Sequence, residues 1–143
     1  MHTRLWIAGL LAVTPILALS PIAFPASEEP GCVIPASESR YNQRLFVSLM
    51  RRKDTIAERM LSTYNIPRVR ASEVRAVTDD LTCGRAADAY SRAFGEKSSG
   101  RKVHVLRVGD RYIVMDPDYR PDDYNRAVTF DATFSKSLAV VAE

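Results

Sequence analysis

The periodicity of the hydrophobic residues changes at the polar segment 96–101, and this change constrains the fold more than any other feature. Before the segment, apolar residues recur every three or four positions, as they do on one face of a helix. After it, apolar and polar residues alternate, which is typical of half-buried strands. An antiparallel sheet needs a cover on one face, and amphipathic helices provide it. The pattern therefore predicts a two-layer α+β domain.

The first predicted helix lies near residue 56. Residues Thr55–Glu58 have the pattern of a capping box, so the helix should begin at Ile56 and place Ile56, Met60 and Tyr64 on one face. Residues 40–53 fit both the helical and the alternating period, and we favour the helical interpretation.

A second clear helix is expected before Gly95, which is a typical stop. Thr78, Asp79 and Asp80 each offer a side-chain oxygen as its N-cap. Its apolar stripe consists of Cys83, Ala87, Tyr90 and Phe94.

The second half of the chain predicts strands. Gly109 and Asp110 form a two-residue turn signature between two alternating runs, which indicates a β-hairpin with Gly109 at positive φ. The predicted strands are Ser72–Thr78, Val103–Val108, Arg111–Asp116, Ala127–Phe130 and Ser137–Val141. The expected fold is α+β, with N-terminal helices packed on an antiparallel β-meander of about four to five strands.

The N-terminal residues predict export. A short basic start is followed by an almost wholly apolar run, Leu5–Leu19, whose 15 residues fall short of the ~20 that span a bilayer as a helix. We interpret residues 1–26 as a signal peptide that is cleaved between Ser20 and Ser27, which predicts a periplasmic or extracellular protein. The alternative is that this segment stays uncleaved as an anchor, the one case in which a membrane is an expected partner.

The rest of the chain suits one domain and one disulfide. Residues 27–39 are rich in Ser, Pro and Glu and are expected to form an extended arm, followed by a single α+β domain over residues 40–143. Cys32 lies in the arm and Cys83 on a predicted helix, and they are the only cysteines. In an exported protein two cysteines more often bond to each other than stay free, so we predict a Cys32–Cys83 disulfide.

The charge balance excludes one class of partner. The formal net charge is +3 at pH 7, too small an excess for the basic surface of a nucleic-acid-binding protein. We therefore expect no nucleic-acid partner, and the partner is an unknown protein or small molecule outside the cytoplasm.

Several short motifs give the chain a family resemblance. They are Val74-x-x-Val77-Thr78-Asp79, Cys83-x-x-Ala86-Ala87-x-Ala89-Tyr90, Arg107-Val108-Gly109-x-Arg111-Tyr112-x-Val114-x-Asp116-Pro117 and Phe130-Asp131. With these motifs the chain resembles a group of small uncharacterised exported bacterial proteins over about residues 55–140. The resemblance implies an exported α+β domain and assigns no catalytic, cofactor-binding or metal-binding residue.

Two groups of residues are candidates for catalysis or metal binding. His104 is the one histidine after the signal peptide, and it could in principle pair with a Cys83 nucleophile, although a strand histidine between two valines is more often packed than catalytic. Four carboxylates share one loop and could bind calcium, but their spacing is not that of an EF-hand, which favours a solvated turn. These carboxylates are Asp116, Asp118, Asp122 and Asp123.

One basic run, Arg51-Arg52-Lys53, could contact an acidic lipid or partner, and the simpler interpretation is a solvated helix end. With no cofactor motif and no nucleophile motif, the sequence favours a non-enzymatic exported binding or interaction domain. The alternatives are a small extracytoplasmic hydrolase-like enzyme using Cys83 or an acid pair, and a structural accessory of the cell envelope.

Overall fold

The computed structural model describes residues 31–33, 40–97, 100–117 and 126–142. The predicted signal peptide and most of the predicted arm lie outside these ranges. In the described part, three helices accompany a mixed six-stranded sheet, so the chain is an α+β protein. None of the described helices is long and apolar enough to cross a membrane.

Helix α1 covers residues Arg40–Arg51, so the helical interpretation of this segment is confirmed. Phe46, Leu49 and Met50 are buried at the spacing of one helical face. At the C-terminal end, Arg68 Nη1 donates hydrogen bonds to the carbonyls of Leu49 and Met50, at 3.1 and 3.0 Å. A cation therefore binds carbonyls that the end of a helix leaves unpaired.

Helix α2 covers Thr55–Thr63 and begins one residue earlier than predicted. Its N-cap is Asp54, whose carboxylate accepts the N–H of Ala57 at 2.8 Å. A hydrogen bond from Arg52 lowers the pKa of Asp54, which keeps this cap ionised. The buried face carries Ala57, Leu61 and Tyr64, whereas Ile56 is 62% exposed, so the predicted Ile56 face was wrong.

Helix α3 covers Asp80–Ala93, and of the predicted stripe only Phe94 lies outside the helix, as its half-buried C-cap. Asp79 is the N-cap and accepts the N–H of Thr82 at 2.9 Å. Cys83, Ala87 and Tyr90 are buried. Gly95 follows the last turn with φ +65°, a conformation in which a Cβ is unfavourable.

Six strands form the sheet. They are β1 (Gly31–Cys32), β2 (Val74–Ala76), β3 (Lys102–Val108), β4 (Arg111–Met115), β5 (Ala127–Phe130) and β6 (Ser137–Val141). Strands β3 to β6 form the predicted antiparallel meander. Strand β2 pairs antiparallel with β3 and is shorter than predicted because Ala71–Glu73 forms a 3-10 helix.

The arm corrects the prediction of a purely antiparallel sheet. Strand β1 pairs in parallel with the first half of β3, with Cys32 opposite Val103. Strand β2 pairs with the second half of the same strand, with Ala76 opposite Leu106. Strands β1 and β2 therefore lie end to end along one edge of the sheet.

The hairpin between β3 and β4 has the predicted register. Val108 pairs with Arg111, which leaves Gly109 and Asp110 as the two turn residues. Gly109 has φ +61°, as predicted, and a Cβ built on it would lie 3.1 Å from Cγ1 of Val69. Both the backbone conformation and the neighbouring chain therefore favour glycine at this position.

Buried residues lie on both faces of the sheet, rather than on one face as expected. Val103 and Val105 of β3 belong to a cluster with residues of α3, such as Tyr90. Leu106 and Val108 belong to a second cluster, which also contains residues of α1 and α2. Because side chains that are an even number of residues apart on a strand share a face, these two pairs point to opposite faces.

Candidate functional site

The two cysteines form the predicted disulfide. Cys32 of β1 and Cys83 of α3 are bonded, their Cα atoms are 5.0 Å apart, and the described residues include no free cysteine. Cys83 lies in the core, and the residue is 1% exposed. A nucleophilic thiolate at Cys83 would therefore first need the disulfide to be reduced.

His104 does not form a dyad with Cys83 in this structure. His104 is 2% exposed and lies on β3 between Val103 and Val105. The side chains of both valines belong to the cluster that contains residues of α3. The side chain of His104 therefore points to the opposite face from α3, which carries Cys83. Neither ring nitrogen has a hydrogen-bond partner among the described residues, and burial lowers the pKa of the ring.

This buried ring predicts a pH-dependent stability. The unfolded chain protonates His104 below about pH 6.5, whereas the folded chain resists protonation because the pKa in the fold is lowered. The unfolded state then binds more protons, so wild-type stability should fall as the pH decreases below about 6.5. The loss should approach about 1.4 kcal/mol for each pH unit while the ring stays neutral in the fold.

The variant His104→Leu tests this prediction, since it has a similar size and no titrating group. Chemical unfolding at pH 5, 6, 7 and 8 should show a stability difference between the variant and the wild type that grows toward pH 5. All other titrating groups are common to both proteins and cancel in the difference. A difference that is constant across these pH values would show that His104 titrates equally in both states.

The acidic loop is described only at its first carboxylate. Asp116 accepts a hydrogen bond from the hydroxyl of Tyr90 at 2.8 Å, and burial raises the pKa of that tyrosine. Asp118, Asp122 and Asp123 lie outside the described residues, so the calcium interpretation stays a prediction. Among the residues that the structure does describe, no group of three or more His, Cys, Asp or Glu side chains could hold a metal ion.

A polar cluster beside this loop was not predicted from the sequence. The Glu96 carboxylate accepts two hydrogen bonds from Arg126, at 2.5 and 3.2 Å, and a further one from Arg101. These contacts, the Arg126 hydrogen bond above all, lower the pKa of Glu96. The Arg126 guanidinium also lies 4.2 Å from the ring centre of Phe94. The cluster joins the end of α3 to the starts of β3 and β5, which is a structural role.

A groove of about 800 Å³ lies between α1 and the edge of β2. This volume lies within the range of ligand-binding pockets, ~300–1,000 Å³. We call it the α1–β2 groove. Its lining consists of Arg40, Gln43, Arg44, Val47, Ser48, Arg51 and Arg52 from α1 and the segment after it, with Ala76 and Thr78 from β2 and the segment after it.

Helix α1 forms one wall of the groove and runs antiparallel to the chain that leads into β2. Arg68 contacts the carbonyls of Leu49 and Met50 near the end of the helix. Gln43, nearer the start of the helix, donates from Nε2 to the carbonyl of Val74, at 3.5 Å. The groove therefore follows most of the helix, a length of about 16 Å at 1.5 Å per residue.

The charge of the groove is positive and mostly uncompensated. Four of its lining residues are arginines and none is acidic. Arg52 forms an ion pair with Asp54 at 2.7 Å. Arg40, Arg44 and Arg51 form no ion pair with any described residue, and all three are exposed. Three guanidinium groups thus share one side of a concave surface without a carboxylate, a typical setting for binding an anionic group.

The sequence contained part of this site. The basic run Arg51-Arg52-Lys53 predicted a solvated helix end or a contact with an acidic lipid or partner, and Arg51 and Arg52 of this run line the groove. Arg40, Arg44 and Arg51 recur at intervals of four and seven residues, which places them on one face of a helix. That spacing could have identified the basic face of α1, whereas the facing strand edge is a tertiary contact that no local pattern contains.

The comparisons with known proteins add no relative. No protein family model matches this sequence, and neither a curated protein nor a solved structure matches it. The resemblance to exported bacterial proteins therefore stays a prediction, and a proposal of function rests on the geometry of the chain itself.

Proposed function

We propose that this protein is a non-enzymatic, exported bacterial domain that binds an anionic ligand in the α1–β2 groove. The observation that carries the proposal is the set of three groove arginines without a carboxylate partner in the described part of the chain. In the proposed architecture the N-terminal helices pack on the sheet as its cover, and α1 is held there as a fixed wall.

Electrostatics favours an anion for a physical reason. Three cations on one helix face repel one another, and an acidic ligand relieves that repulsion while it binds. Arginine also offers a planar fork of N–H donors that matches a carboxylate in two-point contact. Val47 and Ala76 add apolar surface between the charges, so a ligand with both acidic and apolar groups fits the lining best.

Export is part of the proposal. The apolar N-terminal run is interpreted as a signal peptide, and the Cys32–Cys83 disulfide is consistent with an oxidising compartment. The covalent bond between the arm and α3 stabilises the fold by restricting the unfolded chain.

Binding of a labelled acidic peptide tests the proposal. Fluorescence anisotropy should show that fluorescein-labelled hexaglutamate binds the oxidised full-length chain at low salt, and that hexaglutamine, its uncharged counterpart, does not. The double variant Arg40→Gln/Arg44→Gln should weaken binding about tenfold or more, which corresponds to about 1.4 kcal/mol.

The matched control is Arg59→Gln/Arg92→Gln. Both residues are exposed on helices outside the groove, and the pair removes the same charge. This variant should bind within about twofold of the wild type, apart from the small effect of net charge. An equal loss in both double variants, or no loss in the groove variant, would contradict the proposed site.

A further inference from the structure

We infer that the anionic ligand is an extended acidic polypeptide segment, which binds the α1–β2 groove by adding a strand to the open edge of β2. This inference rests on the proposed function, since it names the class of ligand for the same groove. It follows from the backbone of β2, from the length of the groove and from the spacing of its arginines.

On its outward edge β2 leaves the backbone groups of one residue, Ala76, open, because the N–H of Val74 donates to the carbonyl of Ala71 and its carbonyl accepts from Gln43. Gly109 donates to the carbonyl of Glu73 at 3.2 Å, and Val77 donates to the carbonyl of Val105 at 2.9 Å. These bonds place the backbone groups of residues 73, 75 and 77 toward β3. In an antiparallel pair the intervening residues point their N–H and C=O groups the other way, which here is away from the sheet.

The two outward-pointing residues, Val74 and Ala76, differ in whether their backbone groups have partners. The Val74 carbonyl accepts the hydrogen bond from Gln43 on α1. Ala76 lines the groove, and its outward N–H and C=O have no partner among the described residues. An unpaired strand edge is a template for an added strand, and main-chain hydrogen bonds then supply part of the affinity.

The dimensions of the groove match an extended peptide. Strand β2 covers three residues, Val74–Ala76, about 10 Å at 3.3 Å per residue, so a short segment of a peptide would pair with it. Arg40 and Arg44 are about 6 Å apart along the helix axis. Side chains at alternate positions of a strand are about 6.7 Å apart, so two acidic residues two positions apart in a peptide would meet Arg40 and Arg44.

A polypeptide fits these observations better than an anionic headgroup. A single phosphate would contact one or two guanidinium groups and leave the rest of a groove about 16 Å long unfilled. It would also leave the outward backbone groups of Ala76 without partners. A peptide with an acidic residue at every second position would contact the arginines and the strand edge together, while its intervening side chains point to the opposite face.

The experiment compares N-methylated forms of one peptide on the full-length oxidised chain. The parent is an acetylated, amidated peptide of three Glu-Val repeats. One derivative carries N-methyl groups on the three glutamates, and the other carries them on the three valines. The N–H groups that face β2 belong to one parity of the added strand, so methylation of that parity removes every hydrogen bond that the peptide donates to the edge.

We expect one methylated peptide to bind about tenfold or more weakly than the parent, and the other to bind within about threefold. If the added strand is antiparallel to β2, the weaker binder should be the peptide methylated on its glutamates; if it is parallel, the peptide methylated on its valines. The reason is that in a strand of given direction the face of a side chain determines the direction of the N–H group of the same residue. Charge, length and composition are identical in the two derivatives.

Equal binding of both derivatives, whether both match the parent or both lose affinity alike, would overturn strand addition. The proposed function would survive that result if hexaglutamate still binds and the groove variant still weakens it. Binding of anionic phosphatidylglycerol vesicles without binding of the parent peptide would likewise overturn the inference and leave an anion site. If no acidic probe binds, the proposed function itself fails.

Discussion

Removing the Cys32–Cys83 disulfide should lower the free energy of unfolding by about 4 kcal/mol. The bond joins residues 51 apart in the sequence. Without it, the unfolded chain regains the conformational freedom of a loop of that length, which the chain-entropy argument values at about 4 kcal/mol. Since a small domain is stable by only ~5–15 kcal/mol, this is a large fraction of the total.

The folded state should change locally. Strand β1 is two residues long, and its segment is held to β3 by backbone bonds from Gly31 to Arg101 and from Val33 to Val103, at 2.9 and 3.0 Å. Such short pairing is weak without a covalent anchor. Reduction should therefore release the arm from the sheet edge, while the meander keeps its hydrogen bonds.

Denaturant unfolding of oxidised wild type, reduced wild type and the double variant Cys32→Ser/Cys83→Ser measures the effect. Reduced wild type should lose about 4 kcal/mol, and the double variant should lose slightly more because it buries a serine hydroxyl at position 83. Stabilities of oxidised and reduced wild type that agree within about 1 kcal/mol would contradict the prediction.

Local chemistry explains which parts of the fold were predictable. The hairpin follows from a two-residue turn in which Gly109 takes a positive φ that other residues avoid. The start of α3 follows from the carboxylate of Asp79, and its buried stripe from the spacing of Cys83, Ala87 and Tyr90. Each of these features is determined within a few residues of sequence.

The start of α2 shows how a small local error changes a prediction. Thr55 and Asp54 both have an N-cap oxygen, and the sequence pattern favoured Thr55 with Glu58 as a capping box. The structure uses Asp54, because Arg52 holds its carboxylate beside the helix. The buried face has another cause: residues keep their relative positions around a helix wherever it begins, so tertiary packing rather than the cap places Ala57 and not Ile56 in the core.

The parts that depend on distant contacts could not be predicted. The parallel pairing of β1 joins Cys32 to Val103 across about half of the chain. The burial of both sheet faces depends on which side each helix packs, which the sequence period does not encode. The α1–β2 groove has the same origin: the arginine spacing on α1 is visible in the sequence, but the facing edge of β2 is not.

The variant Phe46→Ala should lower the free energy of unfolding by about 3–5 kcal/mol, the usual cost of truncating a buried phenylalanine. Phe46 is 0% exposed and makes an edge-on contact with Tyr64, with ring centres 5.1 Å apart. It belongs to the cluster that joins α1 and α2 to the strands. Alanine would leave a cavity there and remove a ring contact that stabilises the wall of the groove.

The matched control is Ile56→Ala on α2, where the side chain is 62% exposed. Its effect should stay within about 0.5 kcal/mol because little apolar surface leaves the core. Guanidinium unfolding should show a lower midpoint for Phe46→Ala with an unchanged slope, and a midpoint near that of the wild type for Ile56→Ala. Similar losses in both variants would mean that α1 does not pack through Phe46. The groove would then lack a fixed wall, since the arginines on α1 can only keep their positions against β2 if the opposite face of the helix is anchored in the core.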